Sequence, residues 1–273
     1  MLSAELVLSA GLAGCKAKGD PAFSGSGKPK SKQDTRLLLG EGYRALEQKE
    51  FNQAISKADQ ILSSYSQREG SAEALYLKGR SFEGKNAAGV TADEAKANLQ
   101  SAREAYIAAL QKNPSQPLQS YLQASLGNVA YFQDDYSTAL GQFRAAQDKI
   151  ESPDLKGWLL YRVGLCQQRV GQFDEADKTF AEVAKVYPDT EPARRAREHA
   201  GARAFHVQFA TFASAQSAQA AATQLRAQGL PATTVPGPQG RAFLRVGPVS
   251  SYAQAQYYKT RFAEKYPDAL IVP

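Results

Sequence analysis

The sequence predicts a multi-domain chain: an all-α solenoid of paired helices over residues 37–202, then a small α+β domain over residues 203–273. The second part is expected to run βαββαβ, with a four-stranded antiparallel sheet carrying two helices on one face. Three observations carry this. A word of small and aromatic residues recurs through the middle of the chain at the spacing of a helix pair. The C-terminal segment alternates in steps of two and then shifts to helical spacing, and it does so twice. Ahead of both, residues 16–36 hold Lys, Gly, Ser and Pro with almost nothing apolar, which is linker composition.

The chain begins with an apolar run over residues 2–13 that ends in Leu12-Ala13-Gly14-Cys15. Small residues before a cysteine resemble the lipobox of bacterial lipoproteins. The resemblance implies a signal peptide over 1–15, cleavage before Cys15, and lipidation of that cysteine. Two or three acyl chains anchor a protein stably, because each buried CH₂ contributes about 0.8 kcal/mol and one chain alone is marginal. Glu5 stands where a basic residue is usual, which points to a true start elsewhere. Lys16 after the cysteine implies, again by resemblance, transfer to the outer membrane.

Charge is unevenly spread along the chain, whose formal net charge is +6. Residues 16–36 carry six Lys/Arg against two Asp, and residues 203–273 carry seven against two acids. The middle is slightly acidic. Basic character therefore belongs to the linker and to the C-terminal domain, where an anionic lipid surface or polymer would be met.

In the middle, the clearest repeat holds Leu160, Gly164, Gly171, Phe173, Ala176, Phe180 and Pro188. Earlier copies show Gly127, Tyr136, Ala139, Phe143 and Ala146; then Gly79, Ala102, Tyr106, Ala109 and Pro114; and first Gly42, Phe51, Ala54 and Ala58. Small residues let paired helices approach, aromatics fill the space between them, and Pro ends the second helix. The spacing resembles the tetratricopeptide (TPR) repeat. About eleven extra residues around 85–98 are expected between or at the end of the second pair's helices. Residues 193–202 read as a capping helix. Such a solenoid implies a protein partner in its groove. Tyr76, Tyr121, Tyr131 and Tyr161 are candidates to line it, although aromatics at helical spacing belong mostly to cores.

The C-terminal segment opens with Phe205, Val207 and Phe209 alternating with His206, Gln208 and Ala210. Leu244 and Val246 alternate likewise with Phe243 and Arg245, the period of half-buried strands. Residues 214–228 are Ala-rich with Gly229 as the C-cap signal, and residues 251–266 repeat the design with Ala255, Tyr258, Phe262 and Ala263 inward and Pro267 as the stop. Val207-Gln208, Phe212 and Gly247-Pro248, in this strand order, resemble the SPOR domain, a bacterial peptidoglycan-binding module. The usual Gly-Ser after the first strand is Ala210-Thr211, and the aromatic and basic positions at 241 and 243 are exchanged.

Packing both helices on one sheet face leaves the other open, with His206, Gln208, Arg241, Phe243 and Arg245 expected on it. A ring covers the apolar face of a pyranose while Arg and Gln bond its polar groups. The resemblance implies glycan strands stripped of stem peptides, whose free lactyl carboxylates suit an Arg fork. RNA-recognition modules share the strand order, and 240–244 resembles half of their signature. A single aromatic on the face, and the lipoprotein-like N-terminus, weigh against nucleic acid.

Signs of catalysis are sparse. The two histidines, His199 and His206, have no Cys or carboxylate at metal-ligand spacing, and Cys166 lies between apolar residues as a buried thiol. No enzyme, metal or cofactor is expected. The reading is a non-catalytic envelope lipoprotein that binds peptidoglycan through its SPOR-like domain and recruits a protein through its TPR-like repeats. It would sit on the periplasmic face of the outer membrane, in cell division or wall remodelling. The alternative is a scaffold lipoprotein for outer-membrane protein assembly, whose C-terminal domain serves protein contacts only.

Overall fold

The computed structural model describes residues 32–65 and 70–273. The expected signal peptide with Cys15, and residues 16–31 of the linker, lie outside the described residues. The chain divides into two compact units, one ending at Val163 and the other Gly164–Pro273.

The first unit holds α1 (Lys32–Glu47), α2 (Phe51–Tyr65), α3 (Ser71–Lys85), α4 (Ala92–Leu110), α5 (Gln116–Phe132) and α6 (Tyr136–Gln147); the division falls inside α7 (Pro153–Arg169). Because α1 begins at Lys32, residues 32–36 are helix, not linker. One packing rule repeats along the helices. A large ring sits on a glycine of the preceding helix: Tyr106 on Gly79, Phe143 on Gly127 and, in the second unit, Phe180 on Gly164. A Cβ at any of these glycines would fall within 3.0 Å of the ring. Each ring is fully buried, as close-packed interiors require. In the first pair the ring's place is held by Ala58, sixteen residues after Gly42, and Leu77 of α3 fills the space instead.

The turns inside the pairs repeat as well. Lys49, Asp134 and Gly171 each stand seven residues after the repeat's glycine, and each is left-handed, with φ of 61°, 61° and 84°. The following N–H then reaches back five residues: Glu50 to the Ala45 carbonyl at 2.8 Å, Asp135 to Ala130 at 2.9 Å, Gln172 to Gln167 at 2.8 Å. These bonds satisfy carbonyls that the helix end leaves open. Asp135 then caps α6, its carboxylate accepting from the Thr138 N–H.

The second pair breaks this rule where the extra residues lie. A 3₁₀ turn over Asn86–Ala88 and a left-handed Gly89 lead to a new helix start, with Thr91 and Glu94 forming a reciprocal capping box. The remainder lengthens α4. Asn98 donates to Asn86, which donates to the Ala95 carbonyl, and so ties the insertion down.

The second unit continues with α8 (Phe173–Val186) and α9 (Glu191–His199), then β1 (Phe205–Phe212), α10 (Ala215–Ala227), β2 (Ala232–Pro236), β3 (Ala242–Val249), α11 (Tyr252–Arg261) and β4 (Leu270–Val272). The four strands form one antiparallel sheet in the order β2-β3-β1-β4. Ser214 and Ser251 cap the two helices, each accepting from an N–H three residues on. Gly229, at φ 79°, stops α10. The second helix is shorter than its sequence period implies. It ends at Arg261, a turn of residues leads to Pro267, and Ala263 is exposed rather than inward.

Phe205, Val207, Phe209, Leu244 and Val246 of the sheet pack with Ala222 and Leu225 of α10 and Ala255 of α11. Phe209 stacks on Tyr266 at 4.9 Å and meets Phe262 edge-on at 5.4 Å. This core continues onto the last helices. Phe173, at the start of α8, lies 5.7 Å from the Phe205 ring, which in turn meets Tyr252 edge-on at 5.4 Å. Arg169 lies over Tyr252 at 4.6 Å, and Asp177 accepts from the Gly201 N–H and from Arg203.

Candidate functional site

Residues directly opposed on neighbouring strands share a face of the sheet, so the register shows what stands on the side away from the helices. One row across the strands is Thr233, Arg245, Gln208 and Leu270. A second is Val235, Phe243 and Thr211, and His206 stands opposite Val272. Four of the expected residues, His206, Gln208, Phe243 and Arg245, are therefore brought onto one face.

Two expectations need correction. Ala210 does not continue the open-face alternation. A bulge sets Phe209 and Ala210 together against Leu244, which turns Ala210 toward the core and puts Thr211 beside Phe243. Arg241 lies outside the paired strand, one residue before β3. It is exposed, and its carbonyl accepts from the Gly237 N–H at 2.8 Å, which closes the β2–β3 hairpin. Its guanidinium bonds none of the other face residues among those described.

The centre of the face is a built cluster. Arg245 directs Nε and Nη2 at the Gln208 Oε1, both at 3.2 Å, which fixes the amide with its NH₂ turned away from the guanidinium. The Arg245 guanidinium carbon lies 5.7 Å from the Phe243 ring centre. Gly237 of the hairpin abuts an edge of that ring, so closely that a Cβ there would sit 3.1 Å from it. The ring is thus held by both a turn and a charge. The donors left over, Nη1 of Arg245 and the Gln208 amide, favour a ligand that offers oxygens and negative charge.

His206 differs in character. Its Nδ1 is buried without a hydrogen-bond partner, and its ring packs on Gly247, where the chain turns through a cis peptide to Pro248. Burial, helped by the neighbouring Arg245 charge, lowers its pKa from the ordinary value, so the imidazole is neutral at pH 7. Positive charge at the centre of the face therefore comes from Arg245.

Thr233, Val235, Leu270 and Val272 also stand on this face but were not foreseen as site residues. In β2, Ala232-Thr233-Thr234-Val235 has no period-two alternation, so the first two carry no sequence signal. In β4, Leu270-Ile271-Val272 is apolar throughout, so its face is invisible without a register.

The helical part places the tyrosines differently from a groove lining. Tyr76, Tyr131 and Tyr161 are buried, and Tyr121 is half-buried. One polar feature there is a cluster between α3 and α4. The Tyr106 hydroxyl donates to Glu83, and Arg80 donates to the Tyr76 hydroxyl at 3.1 Å. Burial pushes the Glu83 carboxyl up, against the pull of Arg80 and the Tyr106 hydroxyl. Burial and the Glu83 carboxylate raise the Tyr106 phenol well above its ordinary value. His199 accompanies Gln168 on α7, with Nδ1 3.2 Å from the amide oxygen, and Cys166 is buried and forms no disulfide.

The family match agrees with the sheet domain. Residues 201–273 match the SPOR domain. Among solved structures, a thermophilic TPR protein from Thermus thermophilus is 15% identical, with a TM-score of 0.48, over 60% of this chain and 80% of that one. YrrB, a TPR protein with an unusual peptide-binding site, is 19% identical, with a TM-score of 0.47, over 61% and 77%. No curated protein matches the chain. TPR and SPOR modules are, as a rule, binding modules without catalysis. The chain is thus an array of helix pairs, with a ring seated on a glycine in each pair from the second onward, followed by a sheet domain, and residues 201–273 are the part that matches the SPOR domain.

Proposed function

We propose that the open sheet face binds the glycan strands of peptidoglycan, preferring strands stripped of their stem peptides. The observation that carries this is the Gln208–Arg245–Phe243 cluster, fixed by its own hydrogen bonds on the free face of a SPOR domain. Phe243 stacks on a pyranose, Arg245 takes the free lactyl carboxylate, and Gln208 fixes the register of the strand. Arg241, exposed at the hairpin, adds attraction at longer range; His206 contributes as a neutral neighbour of the carboxylate. The helical pairs recruit a protein partner. With lipidation at Cys15, the protein tethers that partner between the outer membrane and the wall from the periplasmic side, during cell division or wall remodelling. Those last elements rest on the N-terminal motif and the family resemblance.

The test is a pull-down of the full chain on intact and amidase-treated peptidoglycan at two salt concentrations. Binding rises with amidase treatment and falls with salt. The alternative, a scaffold whose C-terminal domain makes only protein contacts, predicts no binding to either polymer. Undiminished binding by a folded Gln208→Ala/Phe243→Ala/Arg245→Ala variant would remove the face from the account.

A further inference from the structure

The sheet domain carries a second aromatic and guanidinium surface on the side opposite the open face. Tyr257 of α11 is 58% exposed, a large ring left in water with no core to serve. Arg261, one turn on, is also exposed; its Nη1 lies 3.4 Å from the Tyr257 hydroxyl and its guanidinium carbon 6.0 Å from the ring centre. Gln254, one turn back, is exposed on the same stripe. Ala255, Tyr252, Tyr258 and Phe262 face the sheet core, so this stripe points away from the side that holds Arg245.

The two surfaces have the same composition. Phe243, Arg245 and Gln208 on the sheet correspond in kind to Tyr257, Arg261 and Gln254 on the helix. In both, a guanidinium lies beside a ring with an amide within one turn or one strand. An exposed ring beside a guanidinium fits a sugar polymer bearing carboxylates.

We infer that the α11 stripe is a second site for anionic glycan, and that the domain holds two strands, one on each side. This rests on the glycan reading of the sheet face. A polymer repeats its ligand many times, so a weak second site raises retention on the wall far more than its own affinity implies, and it also bundles strands.

The experiment uses the full chain with soluble denuded glycan oligomers, reading stoichiometry by calorimetry and strand bundling by turbidity. Tyr257→Ala/Arg261→Ala is the test variant; both side chains are exposed and Ala suits a helix, so the fold is retained, with circular dichroism as the check. Wild type is expected to bind about two oligomers per domain and the variant about one, with turbidity lost. Arg245→Ala is expected to keep the helical site alone. A stoichiometry of one for wild type, or bundling unchanged in the Tyr257/Arg261 variant, overturns the inference while sheet binding stands. No binding by wild type in any form overturns both readings together.

Discussion

The helical pairs and the sheet domain meet the same demand, burial of an apolar face, and differ in what remains free. In the helices the repeated ring on glycine uses both partners fully: Phe143 and Phe180 are buried, and the glycines beneath them have no room for a side chain. In the sheet domain the fully buried core residues lie on one face. Phe243, on the other face of the same strand as Leu244, is held in place by a glycine and a guanidinium rather than by a core. An aromatic ring on a β-strand and one on a helix thus have opposite uses, and which use applies depends on the side of the sheet or helix pair on which the ring stands.

The largest expected effect tests that contrast directly. Phe143→Ala should destabilise the helical part by about 3–5 kcal/mol, since it removes a buried ring and leaves a cavity above Gly127. Phe243→Ala should cost less than about 1 kcal/mol, because the ring is half-buried with no core around it, yet it should abolish retention on denuded glycan. Urea unfolding of both variants measures the first quantity and a pull-down the second. Equal destabilisation would break the comparison. A second test addresses polar burial in the helices: Tyr106→Phe leaves Glu83 without its hydroxyl donor and is expected to cost about 1–3 kcal/mol by the same unfolding measurement.

A pH effect belongs to the join between the last helices and the sheet domain. Burial pushes Asp177 up, but the Gly201 N–H and the Arg203 guanidinium outweigh it and hold the carboxyl below its ordinary value of 3.8. A depressed carboxyl stabilises the fold above that ordinary value, and the contribution is lost as pH falls through the folded pKa. Melting temperatures from pH 6 to pH 2 should therefore fall below about pH 4 in wild type, and Asp177→Asn should lack this component. An identical acid profile in the variant would remove Asp177 from the join. The smallest effect is expected at Arg241. Its exposed side chain leaves stability within about 0.5 kcal/mol on Arg241→Ala, with only the salt sensitivity of glycan binding reduced. A loss as large as that of Arg245→Ala would put Arg241 inside the site.

Much of this arrangement was readable from composition and spacing, because those patterns are one-dimensional records of burial. The glycines at 127 and 164 each have their covering ring sixteen residues on, and the eleven further residues between Gly79 and Tyr106 are the extra ones of the second pair, which could be placed near their turn. The left-handed turns were readable at Gly171 but not at Lys49, where nothing in the residue type announces a positive φ. Tyr76, Tyr131 and Tyr161 show the limit of periodicity: a helical stripe of aromatics reads alike whether it meets a groove or a core.

The open face divides in the same way. His206, Gln208, Phe243 and Arg245 were placed by the period of two, which is local and survives any packing. The bulge that exchanges Ala210 for Thr211, the exit of Arg241 from the strand, and the arrival of Leu270 beside Gln208 are all matters of register between segments distant in the chain. Local pattern therefore determined the elements, their inward sides and the residue types available for binding. Which of those side chains meet was decided only in the tertiary structure, because pairing across strands depends on hydrogen bonds that no single segment contains.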